Sequence, residues 1–154
     1  MKEINVTDVM LGDWVLYEHK NTKWETESTH YLKVENITSR DIYMRNGDYA
    51  RVQCVGYGCI KPIPITPDIL EKNGFEELMS ESEVSAARFG RKPEPTGVWQ
   101  YGFGQFDSVA YVFEQSFLRI KFMEGCQADI ANIKYVHELQ HALRLCGVEK
   151  EINL

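Results

Sequence analysis

Apolar and polar residues alternate along the first third of the chain in a way that predicts short strands. Trp14-Val15-Leu16-Tyr17 is an aromatic and β-branched run behind the turn residues Leu11-Gly12-Asp13. In Tyr31-Leu32-Lys33-Val34-Glu35-Asn36-Ile37, Leu32 and Val34 sit between polar neighbours, the period-two signature of a strand with one buried face. Ile42-Tyr43-Met44-Arg45 leads into Asn46-Gly47-Asp48, whose tolerance of positive φ sets a hairpin, and Tyr49 to Cys54 supplies the return strand. Residues 18–29 carry no apolar period and read as a long loop. Short strands at this spacing bury a core and protect their edges as a small, strongly bent sheet. The expectation for residues 1–65 is therefore a small SH3-like β-barrel.

Two prolines remove ladder donors from Ile60-Lys61-Pro62-Ile63-Pro64-Ile65, which reads as an extended connector pinned by isoleucines. A punctuated helix follows. Thr66 is its N-cap, Pro67 fits the first helical position, and Asp68 favours the positive end of the dipole. Asn73-Gly74-Phe75 is its stop, with Phe75 folding back on Ile69 or Leu70. The period is lost over residues 76–97, an exposed acidic and Pro-containing insert with a short helix expected around 81–88. Residues 66–97 thus stand between two halves.

Alternation returns in three runs: Val98 to Phe103, then Val109, Tyr111 and Phe113, then Leu118, Ile120 and Phe122. A terminal helix follows, with Ile133, Val136, Leu139, Leu143 and Cys146 along one side. Residues 98–154 accordingly read as antiparallel strands with a C-terminal helix, and the chain as an α+β protein in which the barrel is followed by a three-stranded antiparallel sheet with two packed helices; the halves can pack as one domain.

Composition narrows the function. The 154 residues are 44% apolar and 26% charged, ample for a packed core. Seventeen basic against 23 acidic side chains give a formal charge of −6, which disfavours a general electrostatic nucleic-acid binder. No run approaches the roughly 18 apolar residues of a membrane span. Met1-Lys2-Glu3-Ile4-Asn5 lacks a signal-peptide apolar segment, so the expected location is the cytoplasm. Cys54, Cys59, Cys126 and Cys146 then read as reduced thiols acting as small buried hydrophobes, since no CxxC pair points to structural zinc.

The one catalytic motif is His137-Glu138-Leu139-Gln140-His141. On a helix, HExxH places two imidazoles one turn apart for zinc, with the glutamate activating a metal-bound water. On the wheel, however, His137 and His141 lie opposite the apolar stripe beside Lys134 and Arg144, which predicts a solvated face. A third ligand has to come from upstream, from His19 or His30. Zinc, with His137 and His141 as ligands and Glu138 as base, is the enzymatic alternative; otherwise no metal or cofactor is expected.

Gln100-Tyr101-Gly102-Phe103-Gly104-Gln105-Phe106 matches part of the RNP1 pattern, in which aromatics stack on bases. It lacks the leading basic residue, and Gln105 stands where an aromatic belongs. Tyr49, Arg51 and Tyr57 on the barrel half, with Trp99, Tyr101 and Phe103 on the second, are the candidate binding surface.

Leu11-Gly12-Asp13-Trp14-Val15, the connector from Ile60 to Thr66 with its helix through Asn73-Gly74-Phe75, and the segment from Ile133 to Gly147 carry a resemblance. Together they resemble a group of small proteins from Bacteroides-type gut bacteria, their phages and other mobile elements. The group brings no activity to carry over. Its members often read His-Gln-Leu-Gln-Asn where this chain has His137 to His141, which implies that Glu138 and His141 are variable positions. The resulting expectation is a cytoplasmic accessory protein that binds a macromolecule, a protein partner ahead of nucleic acid, with a zinc hydrolase and single-stranded nucleic-acid binding as alternatives.

Overall fold

The computed structural model describes residues 9–19, 28–46, 49–78, 96–103, 107–122 and 125–154. The chain separates into two compact units, one of Met1–Pro64 with Tyr135–Gln140 and Leu154, the other of Ile65–Lys134 with His141–Asn153. The architecture is α+β.

The first unit contains β1 (Trp14–His19), β2 (Ser28–Ile37), β3 (Asp41–Asn46), β4 (Tyr49–Gly56) and β5 (Ile60–Lys61), joined antiparallel in the order β4-β3-β2-β1-β5. The longer strands curl into a half-barrel. Strand alternation builds its core: Val15 and Tyr17 on β1, Leu32 and Val34 on β2, and Ile42 and Met44 on β3 gather with Val9 and Ile60. A register shift between Val34 and Asn36 lets Ile37 pair with Ile42 on the core side, because one inserted residue reverses the parity of β2. The turn before β1 closes through the Asp13 N–H on the Met10 carbonyl at 3.2 Å, with Gly12 at φ 85°. That conformation favours glycine at the third turn position. Buried Asp13 reinforces the turn, its carboxylate accepting the Met10 N–H at 2.7 Å.

The expected connector opens as β5, with Ile60 opposite Tyr17 and Lys61 opposite Leu16. The prolines that follow confine it to this edge. Within the same unit Pro64 bridges to Tyr135.

The second unit holds helix α1 (Pro67–Lys72) and strands β6 (Glu76–Glu77), β7 (Val98–Phe103), β8 (Asp107–Val112), β9 (Phe117–Lys121) and β10 (Gln127–Ile130), antiparallel in the order β10-β9-β8-β7-β6. The three expected strands are its centre; β6 and β10 extend it. Trp99, Val109, Tyr111, Leu118 and Ile120 form its buried face. Helix α1 starts and stops as its letters require: Thr66 Oγ1 accepts the Ile69 N–H at 3.3 Å, and the Phe75 N–H reaches the Leu70 carbonyl at 3.0 Å. The Gly74 N–H reaches the Glu71 carbonyl at 2.8 Å with Gly74 at φ 75°, completing a Schellman motif whose apolar pair is Leu70 and Phe75. The final helix α2 (Val136–Leu145) gives its first five residues to the first unit and its last five to the second. It ends in the same device, with Gly147 at φ 70° and the Val148 N–H on the Leu143 carbonyl at 2.9 Å. Of the loop expected over 18–29, residues 18–19 and 28–29 belong to β1 and β2 instead; residues 20–27, the turn expected at Gly47-Asp48 and the helix expected around 81–88 lie outside the described residues.

Candidate functional site

The HExxH segment stands at the first turn of α2. Tyr135 occupies the N-cap position, Val136 is the first helical residue, and the Leu139 N–H closes on the Tyr135 carbonyl at 3.1 Å. The opening N–H groups of a helix have no partner within it. Here the Val136 N–H donates to the Ile63 carbonyl at 2.9 Å. Glu138, three residues after the cap, reaches back so that its Oε2 accepts the Tyr135 N–H at 3.1 Å, the reciprocal half of a capping box. One carboxylate oxygen of the would-be catalytic base is thus engaged at the helix start.

The two histidines do not share one setting. His141 is half-buried, whereas His137 is only 4% exposed and stacks on Tyr135 with ring centroids 5.9 Å apart and planes at 7°. The expectation of two imidazoles on a solvated face is corrected for His137. A helical wheel identifies neighbours on a helix but not how many sides are covered. Val136, His137, Leu139, Gln140, Ala142 and Leu143 are all buried, far more than the apolar stripe, while Leu145 is 82% exposed. Among the described residues no group of three or more His, Cys, Asp or Glu is placed to hold a metal ion. His30 is exposed on β2, and the His19 side chain lies outside the description.

The cysteine expectation is also corrected. Cys59 and Cys126 are exposed thiols, and Cys146 is half-buried, its pKa raised by that burial. The Cys54 side chain lies outside the described residues. Tyr17, across from Ile60, has its phenol pKa raised, first by burial and then by the negative charge Cys59 can carry.

Of the expected binding residues, Trp99 is 8% exposed and belongs to the core of the second sheet, a correction to its surface assignment. Tyr101 is half-buried, tilted against Phe75 at 5.4 Å and capped by the Lys150 ammonium 4.7 Å from its ring centre. Phe103 is half-buried and meets Phe122 edge-on at 6.3 Å. These rings are used in packing, as strand alternation requires: they share a face with Trp99. The side chains of Tyr49, Arg51 and Tyr57, and residues 104–106 of the RNP1-like stretch, lie outside the described residues.

A different surface emerges on the first sheet. Val15 and Tyr17 point into the core, so Trp14 and Leu16 point outward, and both are only half-buried. Leu16 stands opposite Tyr31, which is 51% exposed, and opposite Lys61; Trp14 stands opposite Lys33. The turn beside them leaves Met10 and Leu11 exposed. Apolar residues at both parities of β1 were the signal: a strand with one solvated face ordinarily alternates with polar residues.

Among the described residues no helix is long and apolar enough to cross a membrane. No family model, no curated protein and no solved structure matches the chain.

Proposed function

We propose that this chain is a non-enzymatic accessory protein, of phage or mobile-element origin and working in the cytoplasm, that grips a protein partner with the outward face of its first sheet. The observation that carries the reading is the aromatic and aliphatic set Trp14, Leu16 and Tyr31 lying across two paired strands and flanked by Lys33 and Lys61. Protein interfaces combine aromatic-rich centres with a polar, solvent-accessible rim, and tyrosine and tryptophan often dominate their energetics. The use of Glu138 in a helix cap and the different settings of His137 and His141 weigh against the hydrolase.

The first unit reads as an SH3-like barrel at finer grain. Two features support this: β5 follows the short 3-10 turn Tyr57–Cys59, and it returns to pair with β1 at the far side of the sheet from β4. Such barrels host many unrelated activities, so function rests on the surface and not on the fold.

The test is co-purification from native cells, followed by titration of the recovered partner with wild-type protein, Tyr31→Ala and Leu16→Lys. Each variant is expected to bind about tenfold or more weaker while keeping its circular dichroism spectrum. Unchanged affinity in both variants, or peptide or ester hydrolysis that disappears in Glu138→Gln, would overturn the reading.

A further inference from the structure

We infer that the second unit carries a binding pocket for an alkylammonium cation, beside β6, β7 and the turn after β8. The cavity is about 430 Å³ and is lined by Trp99, Phe113 and Pro67 together with the acidic residues Glu77 and Glu114. That volume suits a small ligand.

The sheet register assembles it. Glu77 is the direct partner of Trp99, and Trp99 of Tyr111, so their side chains share one face. Phe113, two residues beyond Tyr111, continues on that face, and its ring is set edge-on to Tyr111 at 5.4 Å and 83°. The Phe113 N–H donates to the Gly97 carbonyl at 3.0 Å, and the Gly97 N–H donates to Glu77 Oε1 at 3.1 Å. One backbone segment thereby positions both an aromatic wall and a carboxylate. Among the described residues neither Glu77 nor Glu114 forms an ion pair.

This lining selects its ligand by chemistry. Aromatic faces attract a diffuse cation, and two carboxylates add a net negative field. A calcium-like ion wants six or more oxygens, more than this lining offers, and gains little from indole and phenyl walls. An alkylammonium group matches both halves, its carbon shell lying against the rings and its charge near the carboxylates. The pocket shares no residue with the outward face of the first sheet, so the two proposals fail independently.

The test is an NMR titration of the full chain with choline, with an N-acetylated trimethyl-lysine amide, and with dimethylbutanol, the neutral carbon analogue of choline. The expected result is saturable shifts at Trp99, Gly97 and Phe113 with either cation, and binding about fivefold or more weaker for the neutral analogue. Tighter binding of choline marks a free alkylammonium metabolite as the ligand; tighter binding of the lysine derivative marks a protein side chain. Glu114→Gln, at an exposed site, is expected to weaken the cations about threefold to fivefold and leave dimethylbutanol unchanged. Equal affinity for the neutral analogue, or no shift at these residues with either cation, would overturn the proposal without relying on any variant.

Discussion

Asn73 binds two distant parts of the second unit. Buried at the end of α1, it donates from Nδ2 to the carbonyls of Ile69 and Asn153, each at 2.8 Å, and accepts the Asn153 N–H at 2.8 Å. Truncation removes three part-buried hydrogen bonds, each worth about 0.5–1.5 kcal/mol. Asn73→Ala is therefore expected to lose about 2–4 kcal/mol in urea unfolding, against about 1 kcal/mol for Tyr111→Phe. The latter removes one buried bond, from the Tyr111 hydroxyl to the Ile133 carbonyl at 2.7 Å. The helix stop at Asn73-Gly74-Phe75 was legible because it is local; the bond to Asn153, 80 residues away, has no local signature. Thiol chemistry separates the cysteines in the same way. Cys59 and Cys126 are exposed, whereas burial raises the pKa of Cys146 and lowers its thiolate fraction. Timed alkylation read by mass spectrometry is expected to modify Cys59 and Cys126 before Cys146; the reverse order would contradict the assigned burial.

Secondary-structure elements show where local rules decide and where they stop. Both helices among the described residues end in Schellman motifs, at Gly74 and Gly147, and Thr66→Ala is expected to cost about 1 kcal/mol by removing the cap of α1. At α2 the His-Glu-x-x-His letters were legible, but their chemistry depended on helix phase and on what covers the helix. Placed at the first turn, Glu138 serves the backbone. Glu138→Ala is expected to destabilise by about 0.5–1.5 kcal/mol, and Glu138→Gln to retain most of the cap, since glutamine also closes a capping box. A zinc hydrolase would differ in activity and not in stability, with Glu138→Gln stable and inactive. The edge strands were hard to read because they are short: Glu76–Glu77 has no room for a period, and Gln127–Ile130 alternates over only four residues. On the latter, Asp129 faces Arg119 and accepts its guanidinium hydrogen bonds at 2.9 and 3.1 Å. The hydrogen bond from Arg119 lowers the Asp129 pKa, opposed in part by desolvation and aided further by the Arg119 charge. A carboxylate whose folded pKa lies below its unfolded value adds stability above the unfolded pKa and loses it as pH falls through the folded one. The melting-temperature advantage of wild type over Asp129→Asn is expected to be small, present near neutrality, and to close below about pH 4.

At the scale of the whole molecule, alternation foretold most strands and the α+β class, and the strand order could not be read from it. Pairing of β5 with β1 joins residues more than forty positions apart, and no local pattern encodes it. The same limit governed the surface. Trp99, Tyr101 and Phe103 look like a display of aromatics in sequence, yet their parity turns them toward the packed side of the second sheet. Trp14 and Leu16 look like core, yet stand on the far side of β1 from Val15 and Tyr17. The most direct measurement is photo-crosslinking in native cells from a reactive residue installed at Tyr31, with one at the apolar and more exposed Leu145 as control. A discrete protein adduct from position 31 and none from position 145 is the expected result. An adduct from position 145 with none from position 31, or no adduct from either, would contradict a partner surface on the first sheet.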